Sequence, residues 1–495
     1  MKKFLRTLLC GALVALSMSV AAFAAEGDLL ISPAPTAMPE RQGAFYVMAN
    51  GEFVTFTDAV PQASNNRSFL PMAATFSQLG FAEKDMTWNT EGLITATKGD
   101  LTIAMTMGQK EIVLTKAGQS TTIPTDVAPY VDPATWRTYV PFGLVADALG
   151  YNVGWDGVTG TVIIDDVDAI WATNTETYEL MDKYLAYSKD ISGDKVRLRG
   201  DYSANLYSGS WTAESEEEIS FLLEGSYDSY TANSTSMQFK TNMDWDLNAY
   251  VDGKDVTNSL LDAAPMTTIP SSIDFEMRGD LANGAMYFKS AALCKMLEQP
   301  DMANAWFKLD MASMLGGSGM NWSDLMAQQP KDLSCAELVK MMLHATPPTS
   351  IEMTTTDYLA LYNAMLGDSA FVKSGVNYVN DMSKLGIPMS MALTTNSSGT
   401  KVNGCAVDFY MSDPTFGEIL MSVAMEKKEM AMYLAMDTSS TVDLYAKEGS
   451  YLVIEMVMDG TYSSTNKTPS AEPPAGAVIV DLMQLLENAL AESAT

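Results

Sequence analysis

The sequence predicts an α+β protein: a small duplicated α+β domain, followed by a large antiparallel, strongly curved β-sheet domain with a helical insert. Three observations lead to this prediction. A strand–Pro–helix–Gly–strand pattern occurs twice near the N-terminus, apolar and polar residues alternate through much of the second half, and a helical stretch interrupts that alternation. The chain has 495 residues, 47% of them hydrophobic, which is enough material for more than one buried core.

The first 24 residues have the features of a secretory signal peptide. Basic residues at positions 2, 3 and 6 precede an apolar run at 8–20, and Ala22-Phe23-Ala24 has small residues where a signal peptidase reads them. We therefore expect cleavage after Ala24, a flexible lead-in at 25–43, and a secreted or cell-envelope protein. No later segment reaches the roughly 20 apolar residues of a transmembrane helix.

Residues 44–168 contain the duplicated pattern. In each copy a short strand ends at a Pro, a helix follows, a Gly ends the helix and the next strand carries a Trp. The repeated positions are Arg67, Pro71, Gly80 and Trp88 in the first copy and Arg137, Pro141, Gly150 and Trp155 in the second. We expect Leu79, Leu149 and the two tryptophans to be buried, and the two arginines to have structural roles.

These motifs, together with Asn50-Gly51-Glu52 and Thr161-Val162-Ile163-Ile164, resemble the copper amine oxidase N-terminal-like domain. That resemblance implies a non-catalytic stalk module of a secreted bacterial protein. The catalytic domain of those oxidases needs three His ligands and a quinone-forming Tyr followed by an acid. This chain has His344 alone, and Asn377-Tyr378-Val379 lacks the acid, so amine oxidase activity is excluded and no cofactor is expected.

Residues 169–495 are predicted to form the β-rich domain. Odd-numbered residues from 237 to 251 are mostly apolar and their neighbours polar, which is the pattern of one long half-buried strand. Helices are expected in an insert at about 312–383 and at the C-terminus, at 478–490. In its order of elements this region resembles the half-barrels of bacterial lipoprotein carriers, which hold lipid between sheet and helices.

Methionine is abundant, with 36 residues, and several Met-x-Met pairs fall in predicted strands. Clustered thioethers can bind Cu(I), but residues i and i+2 of a strand share a face, so core or cavity lining is favoured, and no metal site is predicted. The candidate cavity residues are Met237, Phe239, Met243, Trp245, Leu247, Met430, Met432, Met456 and Met458.

Three cysteines follow the predicted cleavage site. Cys294 and Cys335 both lie in helical-looking stretches and are the preferred disulfide pair, with three free buried thiols as the alternative. Charge limits the partners: 30 Lys+Arg against 61 Asp+Glu give a formal net charge of −31, which disfavours nucleic-acid binding.

These features predict an exported, non-catalytic envelope protein, in which a stalk presents a β-rich domain that binds a lipid or another apolar ligand. One alternative is a cell-wall or protein-interaction module without a ligand cavity. Another is a carboxylate-dependent hydrolase, although no acidic pair is marked by its surroundings, so no catalytic residue is predicted.

Overall fold

The computed structural model describes residues 38–57, 59–64, 67–192, 195–232, 236–259, 272–280, 282–296, 299–311, 333–413, 417–443, 446–482 and 484. The predicted signal peptide and most of the lead-in lie outside this set. The α+β fold class with a large antiparallel sheet is confirmed.

The described chain divides into two compact units. Residues 29–182 and 332–371 form the N-terminal unit, and residues 183–331 and 372–495 form the sheet unit. This division differs from the predicted boundaries, because the described helices of the predicted insert pack with the N-terminal unit.

Short strands build three small sheets in the N-terminal unit. The strands are β1 (Tyr46–Ala49), β2 (Glu52–Phe53), β3 (Gln62–Ser64), β4 (Arg67–Pro71), β5 (Met86–Trp88), β6 (Leu93–Lys98), β7 (Leu101–Thr106), β8 (Glu111–Lys116), β9 (Gln119–Pro124), β10 (Tyr130–Val131), β11 (Thr138–Pro141), β12 (Asn152–Asp156) and β13 (Thr161–Asp165). Their orders are β12-β13-β1-β2, β10-β11-β4-β3 and β5-β6-β7-β8-β9. The helices are α1 (Met72–Gln78), α2 (Phe142–Leu149), α3 (Val167–Ala172) and the first residues of α4 (Glu179–Ser192).

The two repeated segments have the same local structure. Each strand ends at its Pro, each helix begins at the next residue, and Gly80 and Gly150 follow the helices with φ of 82° and 75°. Only glycine adopts such left-handed backbone without steric cost, which explains why the helices end there. Strands β4 and β11 pair antiparallel, with Val140 opposite Leu70, both fully buried.

The predicted burial of Trp88 and Trp155 is wrong. Leu79 is 1% exposed and lies in the core, and Leu149 is only half-buried against that core. The two tryptophans are 57% and 54% exposed. Trp88 lies on β5 and Trp155 on β12. Each of these is an edge strand with a neighbouring strand on one side only, so the indole ring extends beyond the core. The Arg67 guanidinium binds the Asp126 carboxylate at 2.7 Å across the surface, in keeping with a structural role.

Helices α6 (Cys335–Ala345) and α7 (Thr355–Leu366), here called the helical pair, cover one face of the β12–β13 sheet. Asn152 Nδ2 donates to the carbonyl oxygens of Leu343, at 2.5 Å, and Thr346, at 3.0 Å. Asp165 Oδ2 accepts the backbone N–H of Thr355 at 2.9 Å. Strand β13 is consequently buried at every position.

One long sheet forms the body of the sheet unit. Its strands are β14 (Lys195–Trp211), β15 (Glu216–Ala232), β16 (Ser236–Val251), β17 (Lys254–Asp255), β18 (Ser272–Asp280), β19 (Ala285–Lys289), β20 (Trp306–Asp310), β21 (Val372–Ser374), β22 (Asn377–Asp381), β23 (Met389–Thr395), β24 (Val402–Asp413), β25 (Gly417–Glu426), β26 (Glu429–Asp437), β27 (Gly449–Ser464) and β28 (Ile479–Asp481). The order is β21-β22-β23-β24-β25-β26-β27-β14-β15-β16-β18-β19-β20-β28, and β17 pairs with β16. Helix α5 (Ala291–Met296) belongs to this unit.

Two predicted boundaries in the sheet unit are wrong. The last part of the predicted helical insert forms strands β21 and β22 at one edge of the sheet, and its residues 312–332 lie outside the described set. The predicted C-terminal helix does not begin at 478, because Ile479–Asp481 form strand β28, which pairs in parallel with β20; residues 482 and 484 are helical, and 485–490 lie outside the described set. Short apolar runs do not distinguish helix from strand, and pairing with a distant strand decides the outcome.

The preferred disulfide is absent. Cys294, Cys335 and Cys405 are all free and buried, as in the alternative of three free thiols. The first two lie in different units, and each has a local contact: Cys294 Sγ donates to the Met302 carbonyl at 3.3 Å, and the Cys335 backbone N–H donates to Asp182.

Candidate functional site

The candidate site is one side of the long sheet, here called the apolar face. Residues directly opposite each other in neighbouring strands project from the same side. One row of such partners crosses nine strands: Met391, Val407, Val423, Met432, Met458, Tyr202, Gly225, Met243 and Ile273. A parallel row consists of Met389, Phe409, Met421, Leu434, Met456, Ala204, Leu223 and Trp245. Neither row contains a charged residue.

The structure brings the predicted cavity residues together on this face. The five residues of β16 alternate with exposed polar neighbours such as Asp244 and Asp246, as the sequence pattern predicts. The four methionines of β26 and β27 lie on the same side, since Met432 and Met458 are direct partners and Met458 leads through Tyr202 to Met243. Whether these residues bind a ligand stays a prediction.

Burial changes along the apolar face. Leu206, Phe221 and Leu247 form a buried cluster on β14–β16, and Met243 packs with Ile273 and with Ala292 of α5. In contrast, the apolar side chains of β25, β26 and β27 are only half-buried. The methionine-rich part of the face therefore keeps contact with solvent.

Tyrosines border one end of this methionine-rich part. Tyr187 of α4 donates its hydroxyl to the Lys427 carbonyl at 3.1 Å, and the Tyr462 hydroxyl lies 3.7 Å from Met430 Sδ. Tyr184 hydrogen-bonds to Cys405, and burial raises the pKa of Tyr184 to about 12. Burial also raises the pKa of the Cys405 thiol, so both groups are neutral at pH 7.

Charged groups of the central strands occupy the opposite face. Lys240 and Glu276 are direct partners there, with Nζ and Oε2 at 3.1 Å. Arg197 binds Asp228 through two hydrogen bonds of 2.7 and 2.9 Å. In the two rows that cross its central strands, the long sheet thus has an uncharged side opposite a charged one, which is the arrangement of a sheet with an apolar function or core.

Sequence reasoning missed Cys405 and Met425 as members of this face. Cys405 is the direct partner of Met425, and Met425 is the direct partner of Met430. The two-residue turn Lys427-Lys428 was a usable signal, because it fixes the register of β25 against β26.

Other chemistry is sparse among the residues that the structure describes. No group of three or more His, Cys, Asp or Glu side chains in that part of the chain is arranged to hold a metal ion. No described helix is both long enough and apolar enough to cross a membrane. Burial raises the pKa of Asp165, but its carboxyl is enclosed beneath the helical pair and is not open to a substrate.

Residues 48–164 match the family model of the copper amine oxidase N-terminal domain, in agreement with the resemblance of the repeated motifs. The match concerns the N-terminal domain of those oxidases and not their catalytic domain, and it suggests a non-catalytic stalk. Domains of this kind are typical of extracytoplasmic proteins. No curated protein matches the chain.

Two solved structures have low similarity. The translocator domain of autotransporter NalP from Neisseria meningitidis is 7% identical, with 60% of this chain and 97% of that one covered and a TM-score of 0.13. A beta-barrel-like protein of a domain of unknown function from Brucella abortus is 7% identical, with 55% and 99% covered and a TM-score of 0.11.

Proposed function

We propose that this protein is an exported, non-catalytic envelope protein whose long sheet binds a lipid or another apolar ligand, with the N-terminal unit as its stalk. The observation that carries the proposal is the uncharged row that crosses nine strands and is only half-buried where it is richest in methionine. Exposed apolar patches of this kind mark interaction sites in soluble proteins.

Methionine suits a ligand of variable shape. Its side chain has three rotatable bonds and a polarizable thioether, so a surface of methionines adapts to differently shaped apolar molecules. The adaptable surface is confined to one patch on the neighbouring strands β26 and β27, which contains Met430, Met432, Met456 and Met458.

The first experiment is purification of the protein from its native host, followed by organic extraction and mass spectrometry. We expect a bound lipid or a similar apolar molecule. A fluorescent fatty-acid probe should also bind saturably to the delipidated protein. If nothing apolar co-purifies and the probe does not bind, the function is that of a wall- or protein-interaction module instead.

A matched pair of variants locates the site. Met432→Glu places a charge on the apolar face, whereas Ala431→Glu places the same charge on the opposite face, one residue away, where the side chain is exposed. Burying an unpaired carboxylate against an apolar ligand is costly, so the first variant should weaken probe binding by roughly tenfold or more. Equal binding by both variants would contradict a site on this face.

A further inference from the structure

The side of the long sheet opposite the apolar face has a group of aromatic residues at one end of its central strands. The apolar rows use even-numbered residues of β14, such as Tyr202 and Ala204, so the odd-numbered residues of that strand project from the opposite side. The group, here called the aromatic platform, consists of Tyr207 and Trp211 on β14, Tyr250 on β16 and Tyr451 on β27.

Two glycines allow two of the rings to lie close against the sheet. A Cβ on Gly209 would lie 2.5 Å from Tyr451 Cε1, and a Cβ on Gly449 would overlap the Trp211 ring. Each ring therefore lies directly over the backbone of the neighbouring strand and turns its other side away from the sheet. Trp211 Nε1 also donates to the Ala446 carbonyl oxygen at 2.9 Å, which fixes the indole in place.

Three of the rings form one continuous surface. The Tyr451 ring centroid is 5.9 Å from that of Tyr207 and 6.3 Å from that of Trp211. These three side chains are half-buried, and Tyr250, two strands beyond β14, is 38% exposed. The three strand spacings from β27 to β16 amount to about 14 Å. The platform therefore suits an extended ligand rather than a single small group.

Hydrogen-bonding groups border the platform. Glu216 and Glu218 project from the same side at successive positions of β15, since they are the direct partners of Trp211 and Gly209. A hydrogen bond with Tyr451, and after it partial burial and Glu218, raises the pKa of the Tyr207 hydroxyl, which keeps its proton at neutral pH. The rows of direct partners that pass through positions 207, 209 and 211 contain no Lys, Arg or His among the described residues.

This combination selects a ligand with apolar faces, many hydrogen-bond donors and no negative charge. A sugar ring fits, because its C–H groups stack on an aromatic ring while its hydroxyl groups donate to carboxylates at the border. Aromatic side chains that are already fixed lose little conformational entropy when a ligand stacks on them. An ordinary solvent-facing surface does not explain why two rings lie over glycines with one side left open.

We propose that the aromatic platform binds an uncharged polysaccharide chain, whose sugar rings stack on Trp211, Tyr451 and Tyr250 and whose hydroxyl groups donate to Glu216 and Glu218. The site lies on the opposite side of the sheet from the proposed apolar-ligand site, so both can be occupied at once. For an exported protein, the platform supplies a point of attachment to a glycan of the envelope.

The test is isothermal titration calorimetry of the full chain with two uncharged probes, the hexasaccharides of N-acetylglucosamine and of β-linked glucose. We expect saturable binding of at least one of them. An anionic hexasaccharide of galacturonic acid should bind at least roughly tenfold more weakly, because its carboxylates face those of the platform. Failure of both uncharged probes to bind, or tighter binding of the anionic one, would overturn the proposal.

A matched pair of tyrosine variants locates the site. Tyr250→Ala removes one stacking surface and should weaken saccharide binding roughly fivefold or more. Tyr410→Ala is the control, because Tyr410 is 50% exposed on the same side of β24, away from the platform. Both side chains are exposed, so both variants keep the fold, whereas Trp211→Ala should lose more affinity. Equal affinities for Tyr250→Ala and Tyr410→Ala would contradict a site on the platform.

The saccharide site and the apolar-ligand site fail separately. Saturating fatty-acid probe should leave saccharide affinity unchanged, and competition between the two would place the saccharide on the apolar face and overturn this proposal. Saccharide binding without fatty-acid binding supports the platform and contradicts only the proposed function. Proline-rich peptides also dock on aromatic grooves, so binding of decaproline with no binding of either uncharged saccharide would replace the glycan with a peptide partner.

Discussion

Replacement of Asn152 with alanine should release the helical pair from the N-terminal unit. The Asn152 amide is 6% exposed and donates to two carbonyl oxygens near the end of α6, those of Leu343 and Thr346. Alanine leaves both acceptors without this donor in a buried setting. An unsatisfied buried polar group costs about 1–3 kcal/mol. The hydrogen bond to Leu343 is buried and the one to Thr346 only partly buried, so the expected loss in unfolding free energy lies in the lower part of the summed range, at about 2–4 kcal/mol.

The assay is differential scanning calorimetry of the full chain, combined with hydrogen exchange of the amides in 335–366. For a unit of this size, each kcal/mol shifts the midpoint by roughly 2–4 °C, so we expect the N-terminal unit to melt roughly 5–15 °C lower. Exchange should speed up most in the helical pair, because local opening no longer breaks the two hydrogen bonds.

Gln119→Ala is the matched control, since Gln119 is exposed on strand β9 of the same unit. Such surface changes usually alter stability by less than about 0.5 kcal/mol. A loss below about 1 kcal/mol for Asn152→Ala, or faster exchange spread evenly over the unit, would refute the role of this amide in holding the helices.

Three further predictions concern the N-terminal unit. Asp165→Asn should flatten the pH dependence of the free energy of unfolding. Burial raises the pKa of Asp165 in the folded state, so the stability that its protonated carboxyl contributes is complete below the ordinary pKa and is lost as the pH rises through the raised one. In urea unfolding the variant should therefore gain on the unchanged protein as the pH rises, and an identical pH profile would contradict this. Gly154→Ala should destabilise the N-terminal unit in urea unfolding, because a Cβ at this position would lie 1.8 Å from the Pro348 carbonyl oxygen. An unchanged urea midpoint would show that the backbone around Pro348 can shift to accept the methyl group. Leu79→Ala should lower the free energy of unfolding by about 2–5 kcal/mol, because the Leu79 side chain is fully buried. Trp88→Ala should lower it much less, because Trp88 is half-exposed. The reverse order in denaturant unfolding would contradict the assigned burial.

The elements predicted best are those whose structure follows from their own local sequence and does not depend on distant segments of the chain. Strand β16 has the predicted alternation, because a strand with one buried face shows that face with period two. The helix ends at Gly80 and Gly150 were also readable, since the left-handed backbone is a local property of glycine.

The errors arise where a distant segment decides the outcome. Trp88 and Trp155 are apolar, but edge position depends on strand order, which local patterns do not contain. Strand β13 is buried at every position, and nothing local in Thr161-Val162-Ile163-Ile164 indicated that residues from 335 onwards supply its second cover. Cys405 and Met425 were missed as members of the apolar face for the same reason, because only the register between β24 and β25 brings them together.

The helical pair is synthesised long after the strand that it covers, which has a consequence for folding during synthesis. Asn152 and its partner Leu343 are 191 residues apart, so strand β13 emerges long before its second cover. At roughly 5–20 residues per second, the exposed interval is roughly 10–40 s. During that time the face of β13 that carries Ile163 lacks its cover, and exposed apolar surface in an unfinished fold is an aggregation hazard. If the chain is exported unfolded, as the proposed function implies, folding is postponed until both segments are present, and the duplicated module and the helical pair then fold together rather than in chain order.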